Sequence, residues 1–189
     1  KFLMKKLPKK LYHVSLDFTQ SGVFSPRIPV SRMESEDATT ARICVSDSID
    51  GCLTASPFGA HYLSESLLET NDCVKIFVID TEKLGLTSSD VIFPENLYQS
   101  GQVDDAYLSG EHWILKEFIV PPEDQMVVQI TGVDDTHWKP FITFEIRSEL
   151  LRQGVDFDDY EELDEAYFNH CGEEIPSLCT IKDVEYTTI

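Results

Sequence analysis

Basic residues are scarce in this chain of 189 amino acids. There are 15 lysines and arginines against 34 aspartates and glutamates, so the formal net charge is −19 at pH 7. Proteins bind nucleic-acid phosphates with cationic side chains, and this balance argues against direct binding of DNA or RNA. A charge of this sign and size favours a basic protein partner, or mimicry of DNA, instead.

Long apolar runs and paired cysteines are also missing. No window is as long and apolar as a membrane-spanning helix, and the patch Phe2–Met4 in the lysine-rich segment 1–10 is too short for the apolar part of a signal peptide. The five cysteines form no C-x-x-C pair, and their number is odd. We therefore expect a reducing, cytoplasmic environment, no membrane association and no metal site.

The motifs of several common enzyme classes are absent as well. The sequence contains no G-x-G-x-x-G or G-x-x-x-x-G-K-[ST] loop for phosphate binding, no H-E-x-x-H metal motif and no G-x-S-x-G hydrolase motif. A cysteine nucleophile paired with a histidine stays open, because such partners meet in space rather than in sequence.

The residues that are present indicate one α+β domain dominated by strands. The hydrophobic fraction is 42%, with 11 Phe, 7 Tyr and 2 Trp, which is ample for a packed core. A helix is predicted from residue 49 to 55, capped by Asp47 or Ser48. Runs rich in β-branched and aromatic residues predict strands over 11–16, 42–46, 73–80, 112–120, 126–131 and 137–146, and a second helical or loop stretch covers 61–70.

The last third of the chain is strongly acidic. Seven acids stand among the ten residues 156–165, and apolar residues recur at helical spacing through the same segment. This pattern predicts a helix with one packed and one acidic face, the latter being either a solvated face or a surface for a basic partner. The tail from residue 177 onwards predicts an edge strand.

Four short pieces stand in a definite order before the acidic segment. The first is LYHVS, with His13 and Ser15 on a predicted strand, and the second is the loop QSGVFSPRIP. The third, ICVSDSIDGCLTA, runs from a strand into a small helix. The fourth is GEHWILKEFIVPP, in which Glu111 opens a buried strand whose backbone holds the carboxylate rigidly.

Together these pieces resemble the ADP-ribosyltransferase superfamily, in the branch that includes poly(ADP-ribose) polymerases and related phage and bacterial enzymes. That family has H-x-S on its first core strand, a QGL-x-x-x-P loop, an I-Y-F-A-D-x-x-x-x-A element and a late strand that opens with E-Y-x-V. The resemblance covers about residues 11–131. It implies an α+β, ADP-ribosyltransferase-like fold of split mixed or antiparallel β-sheets with flanking helices over residues 11–146. A basic segment 1–10 precedes this core, and an acidic C-terminal helical extension 147–189 packs on it.

The resemblance also implies a function, that of a mono-ADP-ribosyltransferase, which moves ADP-ribose from its substrate NAD to a macromolecular acceptor. Glu111 then stabilises the positive, oxocarbenium-like centre as nicotinamide leaves, and His13 hydrogen-bonds the NAD ribose. Ser15 holds the nicotinamide amide. Further NAD-binding residues are expected to be Arg27, Cys44, Ser46 and Tyr62, with Arg32 and Arg42 as additional candidates for the NAD phosphates.

One position departs from the family pattern. Where the family places a tyrosine that stacks on nicotinamide, this chain has Cys44. Phe24, Phe58 or Tyr62 is then expected to supply the aromatic ring.

Two other functions fit parts of the sequence. The charge fits a non-catalytic acidic interaction protein, either a degenerate transferase-like fold or a DNA mimic, such as a phage or bacterial antagonist of a defence system. A related phosphotransferase is disfavoured by the shortage of basic residues. In the two main cases we expect a protein acceptor or a basic protein partner, and no direct contact with nucleic acid.

Overall fold

An antiparallel sheet of seven strands dominates the fold. The computed structural model describes residues 5–32, 34–55 and 73–189, and within these ranges the chain is an α+β protein with few helices. The strands of the sheet are β1 Lys10–Ser15, β3 Ile43–Ser46, β4 Cys73–Asp80, β5 Val91–Ile92, β6 Glu111–Ile114, β8 Gln125–Pro140 and β9 Ser177–Thr188. Their spatial order is β5-β6-β3-β1-β4-β8-β9. A separate sheet of two strands contains β2 Val23–Phe24 and β7 Phe118–Ile119.

Buried side chains pack on both faces of the central strands. Leu11 and Phe77 belong to one apolar cluster, and Ile76 and Val128 belong to another. Because successive side chains of a strand alternate between the two faces, a nearly continuous apolar run such as Cys73–Asp80 suits a strand that is covered on both sides. The predicted strand over residues 73–80 is confirmed.

Short helices flank the sheet. The described residues contain five α-helices: α1 Ile49–Thr54, α2 Pro94–Gln99, α3 Ala106–Ser109, α4 Phe144–Arg152 and α5 Tyr160–Cys171. The predicted cap of α1 is confirmed, since the Ser48 hydroxyl accepts a hydrogen bond from the Gly51 N–H at 2.9 Å. Gly51 has no room for a side chain, because a Cβ there would lie 2.0 Å from the Ser109 carbonyl oxygen.

Helix α1 covers part of the outer edge of β9. The Thr54 hydroxyl accepts from the N–H of Ile181 at 2.9 Å, and the Asp50 carboxylate accepts from the N–H groups of Asp183 and Val184, each at 3.2 Å. An edge strand normally leaves such N–H groups unpaired, so these side chains replace a neighbouring strand. The predicted edge strand of the tail is confirmed.

Three predicted strands are wrong in their extent. The strand predicted over 126–131 continues to Pro140 as part of the single strand β8 Gln125–Pro140. The predicted strand 112–120 is broken, because β6 ends at Ile114 and β7, in the other sheet, pairs with β2. The predicted strand 137–146 ends at Pro140, and α4 begins at Phe144. The Thr143 hydroxyl accepts from the Ile146 N–H and so starts a helix where sequence alternation indicated a strand.

The acidic segment is helical from Tyr160 onwards, and residues 156–159 precede the helix. Helix α5 packs with α4 around a small apolar cluster that includes Leu150, Leu163 and Tyr167. The hydroxyl of Tyr98 on α2 donates to the Ile142 carbonyl at 2.6 Å. This bond connects α2 to the segment that precedes α4. Strand β9 follows α5 and returns to the seven-stranded sheet, so the chain beyond residue 147 is not wholly helical.

The helical or loop stretch predicted over 61–70 lies outside the described residues. None of the helices in the described ranges has the length and apolarity that crossing a membrane requires.

Replacement of Thr54 by valine tests how α1 secures the edge of β9. Thr54→Val keeps the side-chain volume but leaves the buried Ile181 N–H without an acceptor, so we expect the free energy of unfolding to fall by about 1–3 kcal/mol. Chemical denaturation measures this change. The matched control is Thr187→Val, at an exposed position of β9, where we expect the free energy of unfolding to change by no more than about 0.5 kcal/mol. Equal effects of the two variants would contradict the role given to Thr54.

Candidate functional site

A cavity of about 760 Å³ lies where two neighbouring strands of the sheet separate. All six residues of β1 pair with β4, and all four residues of β3 pair with β6. In contrast, β1 and β3 pair only at Tyr12 and Ser46. The cavity is lined by residues of β1 and β3, by the loop that follows β1, by α1 and by Glu111. Such a large concave site among polar and apolar groups is the usual location for a small-molecule ligand.

The His13 side chain bridges the gap between the two strands. Its Nδ1 lies 2.8 Å from the Cys44 carbonyl oxygen, and its ring meets Phe24 edge-on at 5.0 Å. A carbonyl only accepts, so Nδ1 carries the proton and Nε2 is left as an acceptor. Burial lowers the pKa of His13, the bond to Cys44 opposes that change, and the charge of Arg27 adds to it. The imidazole is therefore neutral at pH 7.

Glu111 is the buried carboxyl group of the site. It follows Gly110, whose φ of +67° favours glycine and where a Cβ would lie 2.3 Å from the Asp47 carboxylate. The Glu111 Oε1 accepts from the Trp113 indole N–H at 2.7 Å. Burial raises the pKa of Glu111 to about 7, the Trp113 hydrogen bond opposes this rise, and the charges of Glu36 and Asp105 add to it.

Cys44 lies beside these groups on β3. It is the register partner of Trp113, and it lines the cavity. Burial raises the pKa of the Cys44 thiol strongly, and the neighbouring Glu111 adds to that rise, so the group is a neutral thiol at pH 7. One carboxylate oxygen of Glu36, the Cys44 sulfur and one carboxylate oxygen of Glu111 all lie within 4.8 Å of one another. Among the described residues, these three groups have the chemistry and the spacing that suit a metal ion.

Arg42 holds this part of the site together. Its guanidinium stacks on the Trp113 ring at 3.8 Å, pairs with Glu36, and donates to the carbonyls of Asp37 and Thr40 at 2.9 and 3.0 Å. The side chain is fully buried. Because its Nη groups are committed to these partners, Arg42 is poorly suited to the phosphate contact that the sequence suggested.

The other predicted arginines differ in position. Arg27 is exposed and lines the cavity, where a charged ligand group can reach it. Arg32 is exposed and donates from Nη1 to the Pro29 carbonyl at 3.0 Å. Arg27 is therefore the better placed of the two for an NAD phosphate.

The two predicted serines also line the cavity, but both have internal partners. The Ser15 hydroxyl donates to the Asp17 carbonyl at 3.1 Å, and the Ser46 hydroxyl donates to the Ser109 carbonyl at 2.6 Å. The Ser15 oxygen also accepts from the Asp17 N–H at 3.2 Å, and the Ser46 oxygen accepts from the Ser48 N–H at 3.4 Å, so each hydroxyl keeps one lone pair for a further bond. The predicted residues Phe58 and Tyr62 lie outside the described ranges, whereas Phe24 lines the cavity.

The strand register separates His13 from Glu111. Tyr12, Ser46 and Glu111 follow one another as direct partners across three strands, so their side chains share a face of the sheet, and His13 belongs to the other face. Both His13 and Glu111 nevertheless line the same cavity. The lining of the cavity therefore includes side chains from both faces of the sheet, next to the opening between β1 and β3.

Glu36 and Trp113 complete a site that sequence reasoning only partly found. Glu36 lies in a polar loop with no motif spacing to Cys44 or Glu111. Trp113 stands two residues after the predicted Glu111, and this spacing places both side chains on one face of a strand. Strand periodicity could therefore have predicted Trp113 as a site residue, whereas no sequence pattern points to Glu36.

Comparisons with protein-family models, with curated proteins and with solved structures find no match to this chain.

The raised pKa of Glu111 predicts a pH-dependent cost to stability. A carboxyl whose folded pKa lies above its ordinary value of 4.5 favours folding below pH 4.5, and this contribution is lost as the pH rises through about 7. Glu111→Gln keeps an acceptor for Trp113 but cannot ionise. Relative to wild type, we expect the free energy of unfolding of this variant to increase by roughly 3 kcal/mol between pH 4 and pH 8.

Denaturant titrations in a chelating buffer at both pH values measure this difference. The groups around Glu111 that also carry or gain charge are Glu36, Asp105, Cys44 and Arg42, and they are the same in both proteins. A difference between variant and wild type that does not change with pH would show that Glu111 titrates normally.

Proposed function

We propose that this protein transfers ADP-ribose from NAD to a macromolecular acceptor, most simply as single units. The observation that supports the proposal is the meeting of four predicted residues in one cavity. His13 and Ser15 come from β1, Cys44 from β3 and Glu111 from β6, and all four line the cavity. The three strands are far apart in sequence, so the common location of their residues is not a consequence of spacing along the chain.

The proposed reaction breaks one bond and forms another at C1′ of the nicotinamide ribose. The bond from C1′ to the nicotinamide nitrogen breaks, and its electron pair leaves with nicotinamide. A nucleophile of the acceptor then bonds to C1′ and releases its proton to solvent. The ionised Glu111 carboxylate stabilises the positive charge that develops on the ribose, in a cavity where burial strengthens the attraction.

The remaining residues bind and orient NAD in this proposal. The neutral His13 presents Nε2 as an acceptor for a ribose hydroxyl, because Nδ1 already donates to Cys44. Phe24 is the ring, among the described residues, that can stack on nicotinamide in place of the family's tyrosine, since it lines the cavity and is held against Phe118 at 5.1 Å. Arg27 neutralises a phosphate at the exposed side.

Loss of the Glu111 charge tests the proposed chemistry. We expect Glu111→Gln to bind NAD but to release nicotinamide at least about 100-fold more slowly than wild type, because the stabilising charge acts mainly in the transition state. Nicotinamide release and transfer of labelled ADP-ribose to lysate proteins are the measurements, both made in a chelating buffer. The matched control is Glu117→Gln, which removes an exposed acid close by in the chain and is expected to leave both rates unchanged.

The competing function is that of a non-catalytic acidic interaction protein. Its support is the exposed acidic face of α5, on which Tyr160 and Phe168 are also 61% and 55% exposed. A titration of wild type with NAD separates the two hypotheses, since a ligand that binds the folded state raises the melting temperature. Absence of both a thermal shift and nicotinamide release would rule out the transferase and leave the interaction protein.

A further inference from the structure

Three side chains of metal-ligand type converge beside the cavity. A carboxylate oxygen of Glu36, the sulfur of Cys44 and a carboxylate oxygen of Glu111 lie within 4.8 Å of one another, and all three residues line the cavity. They come from a loop, from β3 and from β6, so the fold itself brings them together. The set contains a thiol among two carboxylates and differs from the solvated acidic patches of the surface.

The scaffold fixes these groups before any ligand arrives. Arg42 pairs with Glu36 and also holds the loop through the carbonyls of Asp37 and Thr40. The Trp113 N–H holds one oxygen of Glu111 and leaves the carboxylate's other lone pairs for another partner. Positioned ligands supported by further hydrogen bonds are what a metal site requires.

A buried donor lies on the same side of the sheet as the cluster. Within the described residues, the Arg42 Nε–H is fully buried and makes no hydrogen bond, although the Nη groups do. Arg42 stands two residues before Cys44 and stacks on Trp113, the direct register partner of Cys44, so the guanidinium and the thiol share one face of the sheet. A thiolate, the form that cysteine takes when it binds a metal, is the acceptor that suits this donor.

The fully ionised form of the cluster, which a metal ion binds, needs a cation. With both carboxyl groups and the thiol ionised, the cluster carries three negative charges, and Arg42 offsets one of them among the described groups. Buried charge of one sign is costly unless it is paired or coordinates a metal. A divalent cation supplies the balance and leaves Arg42 as an outer partner of Glu36 and Cys44.

We propose that Glu36, Cys44 and Glu111 form a binding site for a zinc-type divalent cation, with a fourth position open to the cavity. A thiolate with two carboxylates favours zinc over magnesium or calcium, which prefer oxygen ligands alone. Ligand atoms around tetrahedral zinc lie roughly 3.3–3.8 Å apart. Separations of at most 4.8 Å reach this range through side-chain shifts of about 1 Å. Binding displaces the thiol proton to solvent and forms a zinc–sulfur bond.

The metal-site proposal does not rest on the proposed transfer of ADP-ribose. The metal ion and the transfer reaction would, however, use the same Glu111 carboxylate, so they exclude each other. A bound cation neutralises the carboxylate that the transfer reaction needs. The two proposals therefore fail separately: the metal site is tested by spectroscopy without NAD, and the transferase is tested with a chelator.

Cobalt(II) is the probe for the site, because a cobalt–thiolate bond absorbs in the near ultraviolet. Titration of metal-free, reduced wild type is expected to give this absorption with one equivalent of cobalt, and zinc is expected to remove it. Cys44→Ser is expected to abolish the absorption. Glu36→Gln and Glu111→Gln are each expected to weaken cobalt binding at least about 10-fold. Magnesium in excess is expected to have no effect.

The matched control is Cys52→Ser, because Cys52 is a second thiol that lines the same cavity but lies outside the cluster. It is expected to keep the absorption. Persistence of the signal in Cys44→Ser, or its equal loss in Cys52→Ser, would overturn the assignment. X-ray absorption of zinc-loaded wild type needs no variant: one sulfur neighbour at about 2.3 Å with oxygen neighbours supports the site, and any other sulfur count contradicts it.

Discussion

The separation of β1 from β3 is the constraint on which the site depends. Each strand is fully paired on its outer side, and the two share one backbone pair, between Tyr12 and Ser46. One side chain bridges the two strands in place of a ladder, since the His13 imidazole donates to the Cys44 carbonyl. The Cys52 thiol, on helix α1, donates to the Tyr12 carbonyl of β1 at 3.1 Å. The interrupted ladder leaves an opening into which residues of both sheet faces project, and this explains how His13 and Glu111 reach one cavity.

Burial of Glu111 carries an energetic cost that its neighbours only partly offset. The Trp113 hydrogen bond favours the ionised form, whereas burial and the charges of Glu36 and Asp105 oppose it. Arg42 is the cation of this region, and its Nη groups are engaged by Glu36 and by loop carbonyls. Such an unfavourable arrangement persists in proteins mainly where the group is used, because apolar side chains fill a core at lower cost. This cost makes Glu111 a candidate functional residue.

Much of the fold follows from local patterns, and the site follows only in part. The nearly continuous apolar run of 73–80 predicts a strand in a sheet interior, and Ser48 predicts a helix start, because both signals lie within a few residues. The strand predicted for 137–146 is wrong at its end, since the cap at Thr143 outweighs the alternation. Glu111 and His13 are found through ordered motifs, whereas Glu36 joins the site only through the folded loop and its bond to Arg42. Contacts of that kind depend on tertiary structure and leave no periodic signal.

The most direct test of the account is a crystal structure of the protein with an NAD analogue whose glycosidic bond cannot break, grown with a chelator. The account predicts that the nicotinamide ribose lies in the opening between β1 and β3, with a ribose hydroxyl within hydrogen-bond distance of the Glu111 carboxylate and another group contacting His13. An analogue bound elsewhere, or an empty opening at saturating concentration, would contradict the central claim that this split in the sheet is an NAD site.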